Sequence, residues 1–456
     1  MILPLDTAKE TKETKPYKTP DQTMNLHSPD QPSPPSQPFA AFIGIDWADQ
    51  KHALCLSDCA SHKTEHSTLP QQPEAIATWV GELRARFGGR PVAVCLEQSK
   101  GALIYALMAH EFLVLYPVNP ATAALYRKAF ATSRAKDDPT DAQICLELVR
   151  FHREKLRAWR PEDAPTRELR QLLEKRRRAV NLRTKLTNSL RDELKTYFPQ
   201  ALELVGEDLH SPLACAFLLR WPSVQALQKA KKETLRKFYY AHNARRLDLV
   251  ERRLENIATM KALTADAAII EPAILTVTML TRQLVPLRDA IAAFDQRIAQ
   301  LYAAHPDHEI FHSFPGAGPA LGPRLLAAFG RDRQRFEGPA SIQQYSGIAP
   351  VTERSGKSTW VHRRWTRPIF LHQSFFEYAG QSALHCDWAS AFLQDQKARG
   401  KTHPTAVRAL AFKWQRIMFI CWRERRPYDE ALYLQALKTR GSHLFQKLEK
   451  RQLEAA

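Results

Sequence analysis

Cysteines paired at zinc spacing are missing from this chain. The seven that it has, at positions 55, 59, 95, 145, 215, 386 and 421, lie mostly in apolar runs, and none forms a Cys-x-x-Cys pair. They read as reduced core residues of a cytosolic protein rather than as metal or disulfide frameworks. The N-terminus lacks the apolar core of a signal peptide, and no apolar run approaches the length that spans a bilayer. The expected location is therefore the cytoplasm, with no membrane partner. Acidic residues are also in short supply: 48 Asp+Glu face 66 Lys+Arg, a formal charge of +18. So large an excess suits a polyanionic partner, and nucleic acid is the commonest.

The excess is unevenly spread. Residues 39–150 hold 11 Lys+Arg against 12 Asp+Glu, residues 151–200 hold 14 against 7, and residues 313–426 hold 18 against 7. A nearly neutral domain is thus followed by two basic regions, which suits chemistry in one place and phosphate binding in others. At 456 residues the chain is long enough for two to four domains. Residues 1–38, rich in Pro, Ser, Thr, Gln and Lys, hold too few apolar side chains to offset the entropy of ordering and are expected to be disordered.

The stretch Phe42–Leu56 organises the remainder. An apolar run ends in Asp46, a polar turn follows, and a second apolar run begins at His52. This predicts a β-hairpin with a carboxylate in its first strand. An ionised acid in a buried strand costs several kcal/mol unless a base or a cation balances it. A third strand over 63–69, a helix over 73–87, strands over 91–96 and 112–117, and helices near 101–111, 121–129 and from Asp138 complete a unit spanning 39–152. A strand meander followed by alternating helices and strands predicts a ribonuclease-H-like α/β sheet.

Leucines at 169, 172, 173, 182, 186, 190 and 194 recur at helical spacing on a basic chain. They predict a long amphipathic helix, with further helices over 223–240, 243–263 and 265–304, the last kinked at Pro286. Helices of this length need antiparallel or intermolecular coiled-coil partners, so 153–307 reads as a basic helical linker. Residues 308–432 form a mixed, mostly helical C-terminal domain, and 433–456 a polar tail, expected as a loosely attached helix.

Four carboxylates stand out: Asp46 in the first strand, Glu97 at the end of a later one, and Asp138 with Asp141 at a helix start. In a ribonuclease-H-like sheet they converge, and clustered carboxylates hold Mg²⁺, which assists phosphoryl transfer. All but Asp46 have a plainer explanation. Asp138-Pro139-Thr140-Asp141 is a good helix start with Asp138 as N-cap, and Glu97 can simply face solvent. Further on, Phe314-Pro315-Gly316-Ala317-Gly318-Pro319 predicts a tight turn between helices. Gly316 and Gly318 there let backbone N–H groups approach phosphates, unless the turn is only a turn. Arg354, Lys357, Arg363, Arg364 and Arg367 surround Ser355. This run can hold a phosphate against the serine hydroxyl, or be an ordinary solvated face.

From about Ala40 to Tyr428 the pattern resembles the DEDD transposases of the insertion-sequence-one-hundred-and-ten family, also described as bridge-RNA-guided recombinases. The resemblance rests on Gly-Ile-Asp46, Leu-Glu97, Lys136-Asp-Asp138-Pro-Thr-Asp141-Ala, Pro-Gly-Ala-Gly-Pro, Arg-Phe336, Gly-Ile-Ala-Pro350 and Ser355-Gly, taken in order. Arg399-Gly-Lys-Thr-His403 and Pro427-Tyr-Asp429 add to it. It implies a RuvC-like domain whose DEDD quartet maps onto Asp46, Glu97, Asp138 and Asp141 and binds Mg²⁺. It further implies a coiled-coil linker and a C-terminal transposase domain with Ser355 as nucleophile toward donor and target DNA.

An element-encoded guide (bridge) RNA and a homo-oligomer, dimer or tetramer, with composite sites also follow from the resemblance. Two departures stand: Arg363-Arg-Trp-Thr-Arg-Pro368 replaces the family's Lys-x-Gly-Asn type segment, and the leader before Ala40 is long. Two other functions compete. One is a hydrolytic Holliday-junction resolvase in which the serine only binds phosphate, and the other is a non-catalytic, transposase-derived nucleic-acid-binding protein.

Overall fold

The computed structural model describes residues 38–97, 101–130 and 137–455. The expected disordered leader, apart from Pro38, and Lys136 of the family-like motif lie outside the described residues. The chain divides into two compact units, Met1–Pro161 and Glu162–Ala456.

In the first unit, β1 (Ala41–Asp46), β2 (Lys51–Asp58), β3 (Thr64–Pro70), β4 (Val92–Leu96) and β5 (Leu113–Pro117) form one sheet in the order β3-β2-β1-β4-β5. β1, β2 and β3 are an antiparallel meander, while β4 runs parallel to both β1 and β5. The central strands are apolar on both faces because both are covered. On one face Ile43, Ile45, Leu54 and Leu56 pack with Ile76, Val80, Leu83 and Phe87 of the Pro73–Phe87 helix. On the other, Ala93 and Cys95 meet Ile144, Cys145 and Leu148 of the Asp138–Phe151 helix. β3 is exposed except at Leu69, and its Glu65 and His66 suit an edge that must not pair with another chain.

The second unit is helical apart from one hairpin. The Ala164–Tyr197 helix starts at Asp163, whose side chain accepts from the Thr166 amide (2.8 Å). It pairs antiparallel with the Ala267–Ala303 helix. Leu169 and Leu173 share a core with Ile298 and Tyr302, and Leu190 and Leu194 share another with Val277 and Leu284. Arg176–Asp295 and Glu168–Arg297 ion pairs flank the seam. The Ala267–Ala303 helix is long and apolar enough to cross a membrane by length and composition, contrary to the sequence reading, but its buried face is this seam. Pro272 and Pro286 both lie inside it.

The helix expected over 223–240 is two, Val224–Gln228 and Lys232–Ala241. C-terminal to these, Trp388, Trp414 and Trp422 are fully buried in one aromatic core. Trp414 Nε1 donates to Ser382 Oγ (2.8 Å), and Trp422 Nε1 to the Gly330 carbonyl (2.7 Å). The segment beyond Tyr433 is not the loose tail expected. Leu437, Leu444 and Leu448 are buried in that core, and Lys447 pairs with Asp395. Leu437, Leu444 and Leu448 recur at helical spacing, but the core that receives them is assembled from residues far away in the chain.

Candidate active site

Asp46 closes β1, and Glu97 follows the last residue of β4. Ile45 lies opposite Leu96 in the parallel register, so the two carboxylates leave the sheet side by side at the same end. Strand alternation puts Asp46 on the face of Gly44, and Glu97 on the face of Cys95. These are the same face, since Gly44 and Cys95 are register partners.

That face is covered by the Asp138–Phe151 helix, which lies directly on Gly44. A methyl group at Gly44 would run into the Ala142 carbonyl oxygen and the Leu146 amide nitrogen, and stand 2.9 Å from Leu146 Cα. The far end of the helix sits over the start of β1. Arg150 donates to Ser57 Oγ (3.0 Å), which lies opposite Phe42, and Arg153 beyond the helix stacks on Phe39 and Phe42. The helix therefore runs against β1, and its acid-bearing N-terminus lies toward the end where Asp46 and Glu97 emerge. The Cys145 thiol is held well above its ordinary value by a hydrogen bond to Cys95, by burial and by the nearby carboxylates of Glu97 and Asp46.

The plainer explanation of the helix start falls on a different residue. Asp137, not Asp138, is the N-cap, accepting from the Thr140 amide (3.1 Å), and those contacts lower its pKa. Asp138 and Asp141 sit inside the first turn, on the stripe that continues through Ala142 and Cys145, where the helix dipole favours negative charge. Asp138 is exposed; Asp141 is buried and ion-paired with Arg127 of the Pro120–Phe130 helix. Among the described residues no three His, Cys, Asp or Glu side chains are drawn together closely enough to hold a metal ion.

In the second unit, Gly316 (φ +76°) and Gly318 (φ +51°) shape the turn between the His308–His312 and Gly318–Phe329 helices. A Cβ at Gly316 would stand 2.9 Å from His385 Cδ2 and 3.3 Å from the Gln381 carbonyl oxygen, whereas Gly318 faces open space. Packing within the chain thus accounts for Gly316.

Ser355 ends β6 (Val351–Ser355) and pairs with Ser358 at the start of β7 (Ser358–His362). Gly356 (φ +54°) and Lys357 form the two-residue turn between them, so the serine is exposed at a hairpin tip. Arg354, Lys357 and Arg363 are exposed, while Arg364 and Arg367 are half-buried. Arg367 donates to the Arg364 carbonyl (2.6 Å) and fills the space that a side chain on Gly347 would take.

Two residues that sequence reasoning missed join this group. The Nε atoms of Arg364, Arg367 and Arg408, and Nδ1 of His372, are buried without a hydrogen-bond partner among the described residues. Burial, then the charges of Arg367 and Arg408, push the His372 imidazole below its ordinary value. Burial, then Arg367 and Arg363, lower that of Arg408. Only the fold brings Arg408 from the distant His403–Glu424 helix, so spacing along the chain gave no signal for it.

Residues 43–199 match the family model DEDD_Tnp_IS110, described as a transposase, and residues 308–394 match one described as transposase IS116/IS110/IS902 family. The chain belongs to the IS110 family of transposases. Its relatives include the "Mini-circle putative transposase for IS117" of Streptomyces coelicolor, 28% identical over 403 residues, covering 86% of this chain and 96% of the relative. An IS110 insertion-element protein of the same organism is 25% identical over 410 residues, covering 87% and 97%. An IS900 insertion-element protein of Mycobacterium paratuberculosis is 27% identical over 403 residues, covering 86% and 97%. The matched spans of this IS110-family chain contain all four carboxylates, both glycines and Ser355.

Arginines that repel one another and leave buried Nε atoms without a hydrogen-bond partner among the described residues cost stability unless an anion balances them. Arg408→Gln is expected to weaken DNA binding about threefold to tenfold and to reduce the slope of log affinity against log salt by about 1. The melting temperature should hold or rise, because a like-charge contact is relieved. Binding isotherms over a salt series together with a thermal melt check both.

Proposed function

We propose that this IS110-family protein is the recombinase of an insertion sequence, cutting and rejoining DNA through a covalent bond between Ser355 and a strand. In this reading Mg²⁺ is held by Asp46, Glu97, Asp138 and Asp141, and an element-encoded guide RNA supplies the choice of donor and target sites. The observation that carries it is the end of the central sheet, where Asp46 and Glu97 leave adjacent parallel strands beneath a helix that begins with Asp138 and Asp141. The strand order β3-β2-β1-β4-β5 supports a RuvC-like, ribonuclease-H-like first unit, and the antiparallel helix pair of the second supports a coiled-coil linker.

The donor set suits the ion in its chemistry, and binding would have to draw its groups closer than they stand here. All four groups offer carboxylate oxygens, which Mg²⁺ prefers, and the Arg127 guanidinium on Asp141 marks a cation already balancing this charge. When bound, Mg²⁺ would neutralise charge on a phosphodiester in transfer. Ser355 Oγ attacks phosphorus and loses its proton as the new P–O bond forms. The bond to the departing sugar oxygen breaks, and that oxygen takes up a proton. Attack by a hydroxyl of the partner strand then reverses the sequence, joining DNA to DNA and freeing the serine. Arg354, Lys357, Arg363, Arg364 and Arg367 hold the phosphate, and the Gly316–Gly318 turn offers backbone N–H groups to a neighbouring one. Ser355 and the carboxylates belong to different compact units, which suits composite sites built from protomers of a dimer or tetramer.

The test uses the full chain, candidate flanking RNA, junction DNA and Mg²⁺, denatured and run on a gel. Asp46→Asn is expected to lower adduct formation at least about a hundredfold. Adduct in the wild type should require both Mg²⁺ and the RNA. An undiminished Asp46→Asn adduct would remove the metal-site reading, and full activity without RNA would remove the guide.

A further inference from the structure

The hairpin that bears Ser355 also bears aromatic rings that no buried core uses. Trp360 is 56% exposed and Trp365 61%, unusual for the two largest side chains on a short segment. They are not scattered. Trp360 and His362, two apart on β7 and so on one face, stack at 4.2 Å between centroids with planes 29° apart. His362 and Trp365 continue the row at 6.1 Å and 25°. Arg363 lies over the Trp365 ring, 4.4 Å from its centroid. Glu353, the register partner of Trp360, accepts a 2.9 Å hydrogen bond from His362 Nε2, which fixes the middle ring and occupies the acid in this patch.

Two exposed tryptophan rings on either side of the largely covered His362, with Lys357 and Arg363 alongside, match what an unpaired strand requires: faces for its bases and cations for its phosphates. A duplex, with its bases already stacked, offers only the second.

We infer that Trp360, His362 and Trp365 form a stacking platform that holds unpaired bases of a DNA strand beside Ser355. The platform rests on the proposed serine chemistry for its choice of DNA, since the hairpin tip carries the nucleophile. Bases splayed from the duplex and stacked here would bring their flanking phosphodiester to the tip. A positioning role of this kind needs no sequence readout, because every base has a stackable face.

Anisotropy of a labelled DNA strand, alone and annealed to its complement, tests the inference on the full-length protein. Trp360→Ala and Trp365→Ala are each expected to weaken binding of the single strand about tenfold, and of the duplex less than about twofold. Trp360→Phe and Trp365→Phe, which keep an aromatic face, should recover most of the loss. Equal losses on both forms of DNA, or no loss on the single strand, would overturn the platform. So would a phenylalanine rescue that fails in variants that melt as the wild type does. An RNA strand of the same sequence held about tenfold more tightly than the DNA would overturn the assignment to DNA. The separate reading of Ser355 as nucleophile has its own readout, the covalent adduct on a denaturing gel, on which the anisotropy titration, run without Mg²⁺, does not depend. Failure of the chemistry and failure of the platform are therefore distinguishable.

Discussion

Ser355→Ala is expected to abolish the covalent protein–DNA adduct and to lower recombination at least about a thousandfold, since removal of a nucleophile eliminates the step rather than slowing it. Stability should change by less than about 0.5 kcal/mol, because the side chain is exposed at the tip of a two-residue turn. The combination is diagnostic. A variant that melts normally, binds DNA normally and makes no adduct has lost chemistry and not structure. Cleaved DNA without adduct in both forms would instead mean that water attacks and the serine only holds phosphate, which is the hydrolytic resolvase. Neither product, with DNA still bound, would favour the non-catalytic reading.

Most of the first unit was legible in the sequence because its strands alternate with helices and turn residues punctuate them. Each of the five strands falls within a residue or two of its expected place. Asp46 was singled out for a different reason: a carboxylate at the end of an apolar strand has few ordinary explanations, and the structure places it beside Glu97 at the sheet end toward which the Asp138–Phe151 helix begins. The N-cap was misread by one residue because Asp137 and Asp138 are adjacent and chemically identical. Only the extended backbone of Asp137, together with its bond to Thr140, tells them apart.

Arg127, Arg408 and the packed helices beyond Tyr433 were not legible, since each depends on residues far along the chain meeting in space. Trp360 and Trp365 stood in plain view within an aromatic-rich segment. What the sequence lacked was their exposure, and a tryptophan is read as core until a fold shows otherwise.

Gly44 offers the sharpest test of how the acidic site is built. A glycine inside a central strand weakens it unless something needs the space, and here the backbone of the Asp138–Phe151 helix does. Gly44→Ala is expected to destabilise the protein by about 3 kcal/mol, because the obstruction is helix backbone and not a side chain that can turn aside. Displacing the helix would also move Asp141 relative to Asp46. Mg²⁺-dependent adduct formation should accordingly fall even at temperatures where the variant remains folded.

Gly81→Ala supplies the control. Gly81 lies exposed within the Pro73–Phe87 helix with nothing within 4 Å of the added methyl, and the change should stabilise by about 0.5 to 1 kcal/mol. Denaturant melts of the two variants beside the wild type check the opposite signs. If Gly44→Ala were as harmless as Gly81→Ala, the helix would not be seated on β1. The approach of its acids to Asp46 and Glu97 would then fail as well, because it follows from the same seating.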